Sequence, residues 1–363
     1  MNLPVARPLA IAFVAGNRTP RLYDREASFI YRCENLAAAL ALQGHDVLRC
    51  HLSQLPRTGR YDIVVLHRPR LTLSLRWQLR RWRSTGTRVL ADVDDLVFAS
   101  ELAGSSPSVL NRRYPLPVVE AQFRDCAAAL VRMDGISVST EALFEACRDR
   151  WPEAVRPVLH LQPNAVFHSW PALAATRPEA SAGPVLRYLP GTRSHDRDLA
   201  LIAGPLTECL RRHPQFSLEV VGPVDLPLDL PAGRVHHRDK LPFEQFHTVF
   251  DGTWLALAPL EATPFNRCKS ALKWIEAGFW GVPTLGSALP DAARRLGAGT
   301  PLAEGLDDWR HWLSLLCGQP ELRHRLAAEQ RARVLALPDI HAQVPGWLDF
   351  ALGGKPTRAG VDR

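Results

Sequence analysis

Short apolar runs alternate with longer stretches of helical periodicity along most of the chain. The run 254–258 fits a buried strand, and the stretch after it repeats its apolar residues at the spacing of one helix face. Strands that alternate with helices predict parallel sheets, in which ligands bind beyond the carboxyl ends of the strands. The predicted strands are 9–15, 45–49, 62–66, 88–91, 135–138, 158–162, 185–189, 217–222, 254–258 and 282–285.

A change in composition divides the chain. Its 363 residues suffice for two domains, and residues 171–184 are mostly Ala, Pro, Ser and Gly, as in a linker. We therefore predict an α/β protein made of two nucleotide-type domains. The predicted parts are a first domain at 1–165, a linker at 166–183, a second domain at 184–338, a helix at 339–352 and a disordered tail at 353–363.

Charge and cysteine content narrow the possible partners. The formal net charge of +7 favours an anionic partner, such as a nucleotide, anionic lipid headgroups or nucleic acid. No zinc finger or RNP-like motif accompanies the basic residues, so nucleic acid is not expected. The seven cysteines show no metal-ligand spacing, which predicts free thiols in a reducing compartment.

The stretch 259–287 carries the strongest candidate chemistry. A helix predicted to begin near Lys269 places Lys269, Lys273 and Glu276 on one face. Cations are unfavourable at a helix N-terminus, where the dipole is positive, so a bound phosphate would resolve the conflict. Glu276, one turn deeper, is placed to accept two ribose hydroxyls. The alternative is a solvated Lys/Glu face, which is common on exposed helices.

Polar residues also follow other predicted strands. Gly16 and Asn17 follow the first strand, and His67 and Arg68 follow the third, so we expect all four to line a cleft. The turn 190–196 lies between a strand and a helix, a geometry that suits a phosphate although it lacks the G-x-G-x-x-G pattern.

Three carboxylates, Asp92, Asp94 and Asp95, close the fourth strand. Such neighbours repel one another unless they are solvated, paired with cations or functional. A metal site is one alternative, but no histidine or further acidic cluster nearby completes a ligand set.

The stretch 259–287 resembles the nucleotide-sugar site of GT-B glycosyltransferases, most closely retaining family 4 enzymes of the bacterial polysaccharide type. In that family a helix carries a Glu before small-x-x-G-x-P-x-x-x-S, which is Glu276, Ala277, Gly278, Gly281, Pro283 and Ser287 here. A subgroup with F-N-x-x-K-S-x-x-K matches at Phe265, Asn266, Lys269, Ser270 and Lys273. The family's earlier Glu, which touches the donor sugar, is replaced by Cys268, so Asn266 and Glu261 are the local candidates for that contact.

The resemblance extends over about 9–352 and implies a GT-B fold of two Rossmann-like, doubly wound domains facing across a cleft. The second domain would hold the nucleotide-sugar, the first would hold the acceptor, and the helix 339–352 would return to the first domain. The segment 92–96 resembles the D-x-D-D-L of the same subgroup, in which Asp94 stands where relatives carry a His beside the donor sugar. Asp94 would hydrogen-bond the sugar or stabilise positive charge at the anomeric carbon.

The resemblance implies a role for each matched residue. The catalytic candidates are Asp94, Asp95, Lys269 and Glu276. The nucleotide-sugar candidates are Gly191, Thr192, Arg193, His195, Arg238, Asn266, Lys269, Ser270, Lys273 and Glu276. The acceptor-side candidates are Gly16, Asn17, Arg32, His67 and Arg68. No metal or other cofactor is expected, since Lys269 and Lys273 would stabilise the leaving diphosphate. Family membership implies retention, whereas inversion would need a general base, for which Asp94, Asp95 and His67 are the candidates.

The expected function is transfer of a sugar from a nucleotide-sugar to a glycan or lipid-linked acceptor, in assembly of a surface polysaccharide such as capsule or lipopolysaccharide. The alternatives are a non-catalytic nucleotide-sugar or glycan-binding subunit, and an isomerase or phosphorylase of the same fold.

The expected location is cytoplasmic, because no apolar run is long enough to cross a bilayer and the run 9–15 fits a first strand. The helix 71–83 carries Arg76, Arg80 and Arg83 on one face. This face suits either an anionic membrane surface or plain solvation.

Overall fold

The structure is a computed structural model that describes residues 7–16, 20–56, 58–176, 183–224 and 233–354, without the side chain of Arg193. The candidate residue Asn17, linker positions 177–182 and tail positions 355–363 lie outside the described residues. The strands are β1 Ala10–Ala15, β2 Asp46–His51, β3 Ile63–His67, β4 Arg88–Val93, β5 Gly135–Val138, β6 Val158–Leu161, β7 Val185–Tyr188, β8 Ser217–Val221, β9 Val235–Arg238, β10 Thr253–Ala258, β11 Thr284–Ser287 and β12 Leu302–Ala303.

The helices lie between these strands, as the alternating pattern predicts. They are α1 Ala27–Phe29, α2 Asn35–Leu42, α3 Leu73–Ser84, α4 Pro107–Leu110, α5 Leu116–Leu130, α6 Glu141–Arg150, α7 Trp170–Ala175, α8 Asp196–Leu201, α9 Ala203–Arg212, α10 Phe243–Phe246, α11 Pro264–Arg267, α12 Leu272–Phe279, α13 Pro290–Leu296, α14 Leu306–Gly318, α15 Pro320–Ala336 and α16 Ile340–Leu352. A π-helical turn, Ile30–Glu34, joins α1 to α2. In the described residues, no helix has the length and apolarity needed to cross a membrane.

The strands form two six-stranded parallel sheets. The order is β2-β1-β3-β4-β5-β6 in one and β12-β11-β10-β7-β8-β9 in the other. Central strands such as β3 are buried along their whole length, which explains why they are continuous apolar runs instead of alternating patterns. Both sheets place polar residues at the carboxyl ends of these buried strands.

The chain divides into two compact units. Unit 1 contains the described residues of 1–101, 117–171 and 338–363, and unit 2 contains those of 102–116 and 172–337. Residues 102–116, which the sequence analysis includes in the first domain, therefore group with unit 2. Asn111 in this segment donates a hydrogen bond of 2.8 Å to the carbonyl oxygen of Ser194 and accepts one of 3.0 Å from the N–H of Arg197.

The C-terminal helix α16 completes the core of unit 1. Trp347 and Phe350 are fully buried there with the side chains of β1 and α2. The indole of Trp347 stacks on Phe13 of β1 with ring centroids 5.8 Å apart. The last helix thus covers one face of the first sheet, although it follows unit 2 in sequence.

In unit 2, close packing joins α12 to the adjacent strand. The indole of Trp274 is fully buried against β11, and a Cβ atom on Gly286 would lie 2.3 Å from that ring. Only glycine leaves room for this contact. The tight contact fixes the position of α12, which carries the candidate lysine and glutamate, against the sheet.

We expect Trp347→Ala to lower the free energy of unfolding of unit 1 by about 3–5 kcal/mol, because it empties a large site between α16 and β1. Urea unfolding followed by circular dichroism measures the change. The matched control is Trp77→Ala, since Trp77 is 56% exposed on α3 of the same unit, and its cost is expected within about 0.5 kcal/mol. Equal losses in the two variants would contradict the role given to α16.

Candidate functional site

The register of the strands in unit 1 places a row of polar residues near their carboxyl ends. His67 of β3 lies opposite Asp92 of β4, and Asp92 lies opposite Ser137 of β5. Gly16 follows β1 beside this row, and a Cβ atom on it would lie 3.4 Å from the carbonyl oxygen of His67. The predicted acceptor-side residues gathered at this edge are Gly16, Arg32, His67 and Arg68.

Arg32 reaches this row from the π-helical turn. Its Nε and Nη2 donate to the two carboxylate oxygens of Asp92 at 3.0 and 2.7 Å, and its Nη1 donates to the side chain of Asn164 at 3.1 Å. Both members of the ion pair are buried. Burial alone would raise the pKa of Asp92, but the Arg32 charge and the hydrogen bonds from His67 and Arg32 hold it well below its usual range. Arg32 therefore connects the helix layer to the carboxyl ends of several strands.

Both nitrogens of the His67 ring are engaged. Nδ1 lies 3.3 Å from Oδ1 of Asp92, and Nε2 lies 3.2 Å from Oγ of Ser28. Because an ionised carboxylate only accepts hydrogen bonds, the proton of the neutral ring sits on Nδ1 and Nε2 presents its lone pair. Nε2 also lies 4.0 Å from Oδ1 of Asp94. A ring in this tautomer can accept a proton from a hydroxyl group.

Arg68 fixes the two carboxylates that follow β4. Its Nε lies 2.6 Å from Oδ1 of Asp94, and its Nη2 lies 2.7 Å from Oδ2 of Asp95. The φ angle of Arg68 is 47°, which costs energy in a non-glycine residue and is typical of constrained functional positions. Burial alone would raise the pKa of Asp94, but the charge and the hydrogen bond of Arg68 bring it below its usual value. The predicted catalytic carboxylates are thus oriented by one guanidinium.

A cavity of about 200 Å³ lies beside this edge. The Thr72 hydroxyl in its wall already accepts a hydrogen bond of 3.1 Å from the N–H of Leu75 and caps α3. The lining residues are Gly16, Leu52, Leu66, Pro69, Arg70, Thr72 and Leu75. This mostly apolar lining suits an apolar group better than a sugar hydroxyl.

In unit 2, the helix with the candidate diphosphate site begins later than predicted. Asp291, 20 residues along the chain, accepts a hydrogen bond of 2.8 Å from the N–H of Ala271. The helix α12 begins only at Leu272, so the predicted start near Lys269 is wrong. Lys269 and Ser270 lie before the helix, whereas Lys273 lies in its first turn.

The ammonium group of Lys273 is held at the start of α12. It donates to the carbonyl oxygen of Leu189, which follows β7. Burial lowers the pKa of Lys273, Glu276 opposes this, and the nearby Lys269 lowers it further. The first turn contains no acidic residue, and the first N–H groups of a helix have no partner in a preceding turn. Positive charge and hydrogen-bond donors therefore meet where the helix dipole is positive, an arrangement that can bind a diphosphate.

The turn after β7 lies next to these lysines. Gly191 has a φ angle of 76°, in the left-handed region that favours glycine. Gly191 and Thr192 are both exposed. Nδ1 of His195 lies 2.7 Å from Oδ2 of Asp198, and the imidazole lies within electrostatic range of Lys269 and Lys273. The structure thus brings the predicted turn and the predicted helix to one place in unit 2.

Asn266 and Glu261, the two candidates for the sugar contact, have different surroundings. Nδ2 of Asn266 donates to the carbonyl oxygen of Glu261 at 2.9 Å, which fixes the orientation of the amide. Its Oδ1 is buried without a hydrogen-bond partner in the described part of the chain. The carboxylate of Glu261 instead forms a two-point ion pair with Arg197. Asn266 therefore offers a buried acceptor that a ligand hydroxyl can satisfy.

Two other nucleotide-sugar candidates lie on different elements. Glu276 is buried on α12, close enough to Lys273 to influence its charge. Arg238 ends β9 and is exposed, with Nη1 3.2 Å from the carboxylate of Glu219. A third candidate, Arg193, is described only by its backbone. In the described residues, no three His, Cys, Asp or Glu side chains group closely enough to hold a metal.

Two residues of unit 2 were missed by sequence reasoning. Asp198 bonds His195, and its other oxygen accepts from the N–H of Glu261 at 2.7 Å. Its spacing of three residues from His195 was a usable signal, since side chains at that spacing meet on a helix. Asn111 is 83 residues from Ser194, and no local pattern reveals that contact.

Two Rossmann-like doubly wound domains define the GT-B fold, and the chain has this fold, as predicted. No protein-family model and no curated protein sequence matches the chain. Solved structures do match. Sucrose-phosphate synthase from Thermosynechococcus elongatus has a TM-score of 0.62 at 17% identity, over 94% of this chain and 98% of that one.

Two further matches also extend over nearly the whole length of both chains. Alr3699/HepE from Anabaena, solved with UDP-glucose, has a TM-score of 0.63 at 13% identity, over 94% of this chain and 100% of that one. WaaG, a glycosyltransferase involved in lipopolysaccharide biosynthesis, has a TM-score of 0.59 at 14% identity, over 95% and 100%. At these identities the likeness establishes the fold, and function has to be argued from the site.

We expect Asp92→Asn to lower the free energy of unfolding of unit 1 by about 3–5 kcal/mol, because it leaves the Arg32 charge buried and unpaired. Since the pKa of Asp92 is depressed in the folded state, its contribution is present above the unfolded pKa of about 4 and is lost as pH falls below it. The gap between wild type and variant should therefore narrow in acid. Urea unfolding at several pH values measures it.

The control for this prediction is Glu34→Gln, which removes a carboxylate paired at 3.3 Å with the partly exposed Arg49. We expect a cost of at most about 1 kcal/mol there. If Asp92→Asn lowers the free energy of unfolding by no more than the control does, the ion pair of Arg32 with Asp92 does not stabilise the strand ends.

Proposed function

We propose that the protein is a glycosyltransferase that moves a sugar from a nucleotide-sugar to a glycan or lipid-linked acceptor. The observation that carries this proposal is the Lys273 ammonium in a first helical turn without acidic residues, with Lys269 and His195 close by. A bound diphosphate would neutralise this surplus of positive charge. The GT-B fold supports the proposal, because its structural neighbours include a protein solved with UDP-glucose.

The mechanism we propose is electrostatic stabilisation of the leaving diphosphate. As the bond from the anomeric carbon to the diphosphate oxygen breaks, negative charge grows on that oxygen, and Lys269, Lys273 and the N–H groups of α12 would stabilise it. No metal is needed in this scheme. Glu276 would accept the ribose hydroxyls, and the unpaired Oδ1 of Asn266 would accept a hydroxyl of the donor sugar.

We assign the acceptor side of the reaction to the ion-paired carboxylates of unit 1. Asp94 would stabilise the positive charge that develops on the sugar, and Arg68 orients it. Retention of configuration is the outcome we propose, as in family 4. The His67 tautomer, with a lone pair on Nε2, supports a general base at this position if the enzyme inverts. The proposed pathway is assembly of a surface polysaccharide, capsule or lipopolysaccharide.

We expect Lys273→Met to slow release of nucleoside diphosphate by about a hundredfold to a thousandfold, the usual effect of losing one preorganised group that stabilises transition-state charge. The assay supplies UDP-glucose, GDP-mannose, ADP-glucose and dTDP-glucose with membrane-extracted acceptors. The control is Arg325→Met, which removes an exposed cation of unit 2 and should retain wild-type turnover.

Other outcomes of this assay separate the alternatives. Wild type that binds a donor without turnover would indicate a binding subunit. Release of a sugar phosphate, or conversion of the nucleotide-sugar to an isomer, would indicate a phosphorylase or an isomerase. Full activity of a folded Lys273→Met variant would refute the role of this helix start.

We also propose that α3 rests on the cytoplasmic face of an anionic membrane. Leu73 is 84% exposed and Trp77 is 56% exposed, four residues apart on one side of this helix, with the exposed cations Arg76 and Arg80 nearby. Exposed apolar and basic side chains together favour the interface of an anionic bilayer. Arg83 is less suitable because it donates to the carbonyl oxygen of Arg132 at 2.7 Å.

We expect the double variant Arg76→Glu, Arg80→Glu to bind vesicles containing phosphatidylglycerol at least about tenfold more weakly, since each basic residue near such a surface contributes about 1 kcal/mol. Co-sedimentation measures the binding. The control with the same charge change is Arg310→Glu, Arg325→Glu, two exposed positions of unit 2. Equal sedimentation of the two double variants would refute docking through α3.

A further inference from the structure

His195 is the one imidazole that the described residues of unit 2 place beside both lysines of the proposed diphosphate site. Its Nδ1 lies 2.7 Å from Oδ2 of Asp198, one helical turn later. Asp198 is itself 3% exposed, and its Oδ1 accepts a hydrogen bond of 2.7 Å from the N–H of Glu261. One buried carboxylate therefore joins the turn after β7 to the loop after β10 and fixes the orientation of the imidazole.

The charged groups around His195 come from three elements. Asp198 on α8 bonds its ring, Lys269 precedes α12, and Lys273 lies in the first turn of α12. Tyr188 of β7 donates its hydroxyl to the carbonyl oxygen of His195 at 3.2 Å and holds the backbone. Burial lowers the pKa of His195, the hydrogen bond to Asp198 opposes this, and both lysines lower it further.

These contacts determine where the proton of the unliganded ring lies. A carboxylate can only accept, so Nδ1 carries the hydrogen and Nε2 carries a lone pair. A lone pair cannot donate to a phosphate oxygen. A diphosphate between the lysines would remove their repulsion and supply an acceptor, and both changes favour the imidazolium, in which each nitrogen donates.

We propose that His195 binds a proton from solvent at Nε2 when the diphosphate of a nucleotide-sugar binds, and that Asp198 is the positioning residue that makes this possible. The inference rests on the proposed donor site. The charged ring donates one hydrogen bond to Asp198 and one to a diphosphate oxygen. No covalent bond of the donor changes in this step, and the proton returns to solvent when the diphosphate leaves.

Proton uptake has a defined sign and range of pH. It occurs between the lower pKa of His195 in the free protein and the higher pKa in the complex. Affinity for the donor should rise as pH falls through this window, by up to tenfold per pH unit for one proton, and should level off below the free-protein value. A nucleotide-sugar is the right probe, because its diphosphate is esterified at both ends. The ligand therefore has no terminal phosphate whose own titration would contribute to the measured proton uptake.

Isothermal titration calorimetry with UDP-glucose, GDP-mannose, ADP-glucose and dTDP-glucose tests the proposal. Repeating the titration in buffers of different ionisation enthalpy gives the number of protons taken up. For the donor that binds, we expect about 0.3–1 proton per site for wild type near neutral pH. For His195→Gln we expect no proton uptake. Its affinity for the donor should be about tenfold lower than that of wild type, because a charge-assisted hydrogen bond is lost.

Asp198→Asn separates positioning from simple support of the fold. With an amide opposite Nδ1, the neutral tautomer with hydrogen on Nε2 is favoured, so binding should persist with a flat pH profile. The control is Asp196→Asn, which changes a carboxylate two residues away that pairs with Arg113 and should keep the wild-type uptake.

Two results would overturn the inference. If wild type binds a donor without proton uptake across about pH 6–8, the result would support the donor site but refute proton uptake by His195. If Asp198→Asn only weakens binding equally at every pH, Asp198 supports the fold and does not position the ring. If none of the four donors binds wild type, the donor site itself fails, and this inference fails with it.

Discussion

The proposed donor site of unit 2 depends on a cation held at the N-terminus of a helix, the end at which positive charge is unfavourable. Lys273 lies in the first turn of α12, where the dipole already contributes positive charge, and its ammonium group donates a hydrogen bond to the carbonyl oxygen of Leu189. The position is tolerated because Glu276 and Asp198 lie within electrostatic range. The carboxylate of Asp291 bonds the N–H of Ala271 at this helix start, but no acidic residue lies in the turn itself. A lysine in this turn therefore supports the proposed anionic ligand.

The strand order explains how distant segments meet at this helix. The neighbouring strands β11, β10 and β7 are consecutive in the sheet, so the chain leaving β7 and the chain leaving β10 emerge side by side at their carboxyl ends. Asp198 uses this proximity to bond both His195 and the backbone of Glu261. Ser287, at the end of β11, both donates to the carbonyl oxygen of Leu260 and accepts from its N–H, at 2.8 Å each. These side chains make a rigid rim from loops that follow three different strands.

The sequence predicts what is local in this architecture and misses what depends on distant contacts. Apolar runs locate ten of the twelve described strands because buried parallel strands are apolar on both faces, and they miss β9 and β12 at the two edges of the second sheet. The start of α12 was misplaced because the group that accepts from Ala271 comes from Asp291, beyond the next strand. The ion pair between Arg32 and Asp92 spans 60 residues, so the sequence suggested an acceptor contact for Arg32 but not its carboxylate partner. Helix α11 is the exception, because it was missed although its cap is local: the side chain of Thr263 accepts a hydrogen bond from the N–H of Asn266.

The two units differ in how their charges are compensated, and the difference agrees with the two halves of a transfer reaction. At the edge of unit 1, Arg32 bonds Asp92, and Arg68 bonds both Asp94 and Asp95. Carboxylates in this position suit positive charge growing on a sugar or a proton leaving a hydroxyl. In unit 2, one of the nearby carboxylates, Asp198, is already bonded to an imidazole and a backbone N–H. The lysines lie close to this turn, and this distribution of charge supports the proposed placement of the donor diphosphate on unit 2.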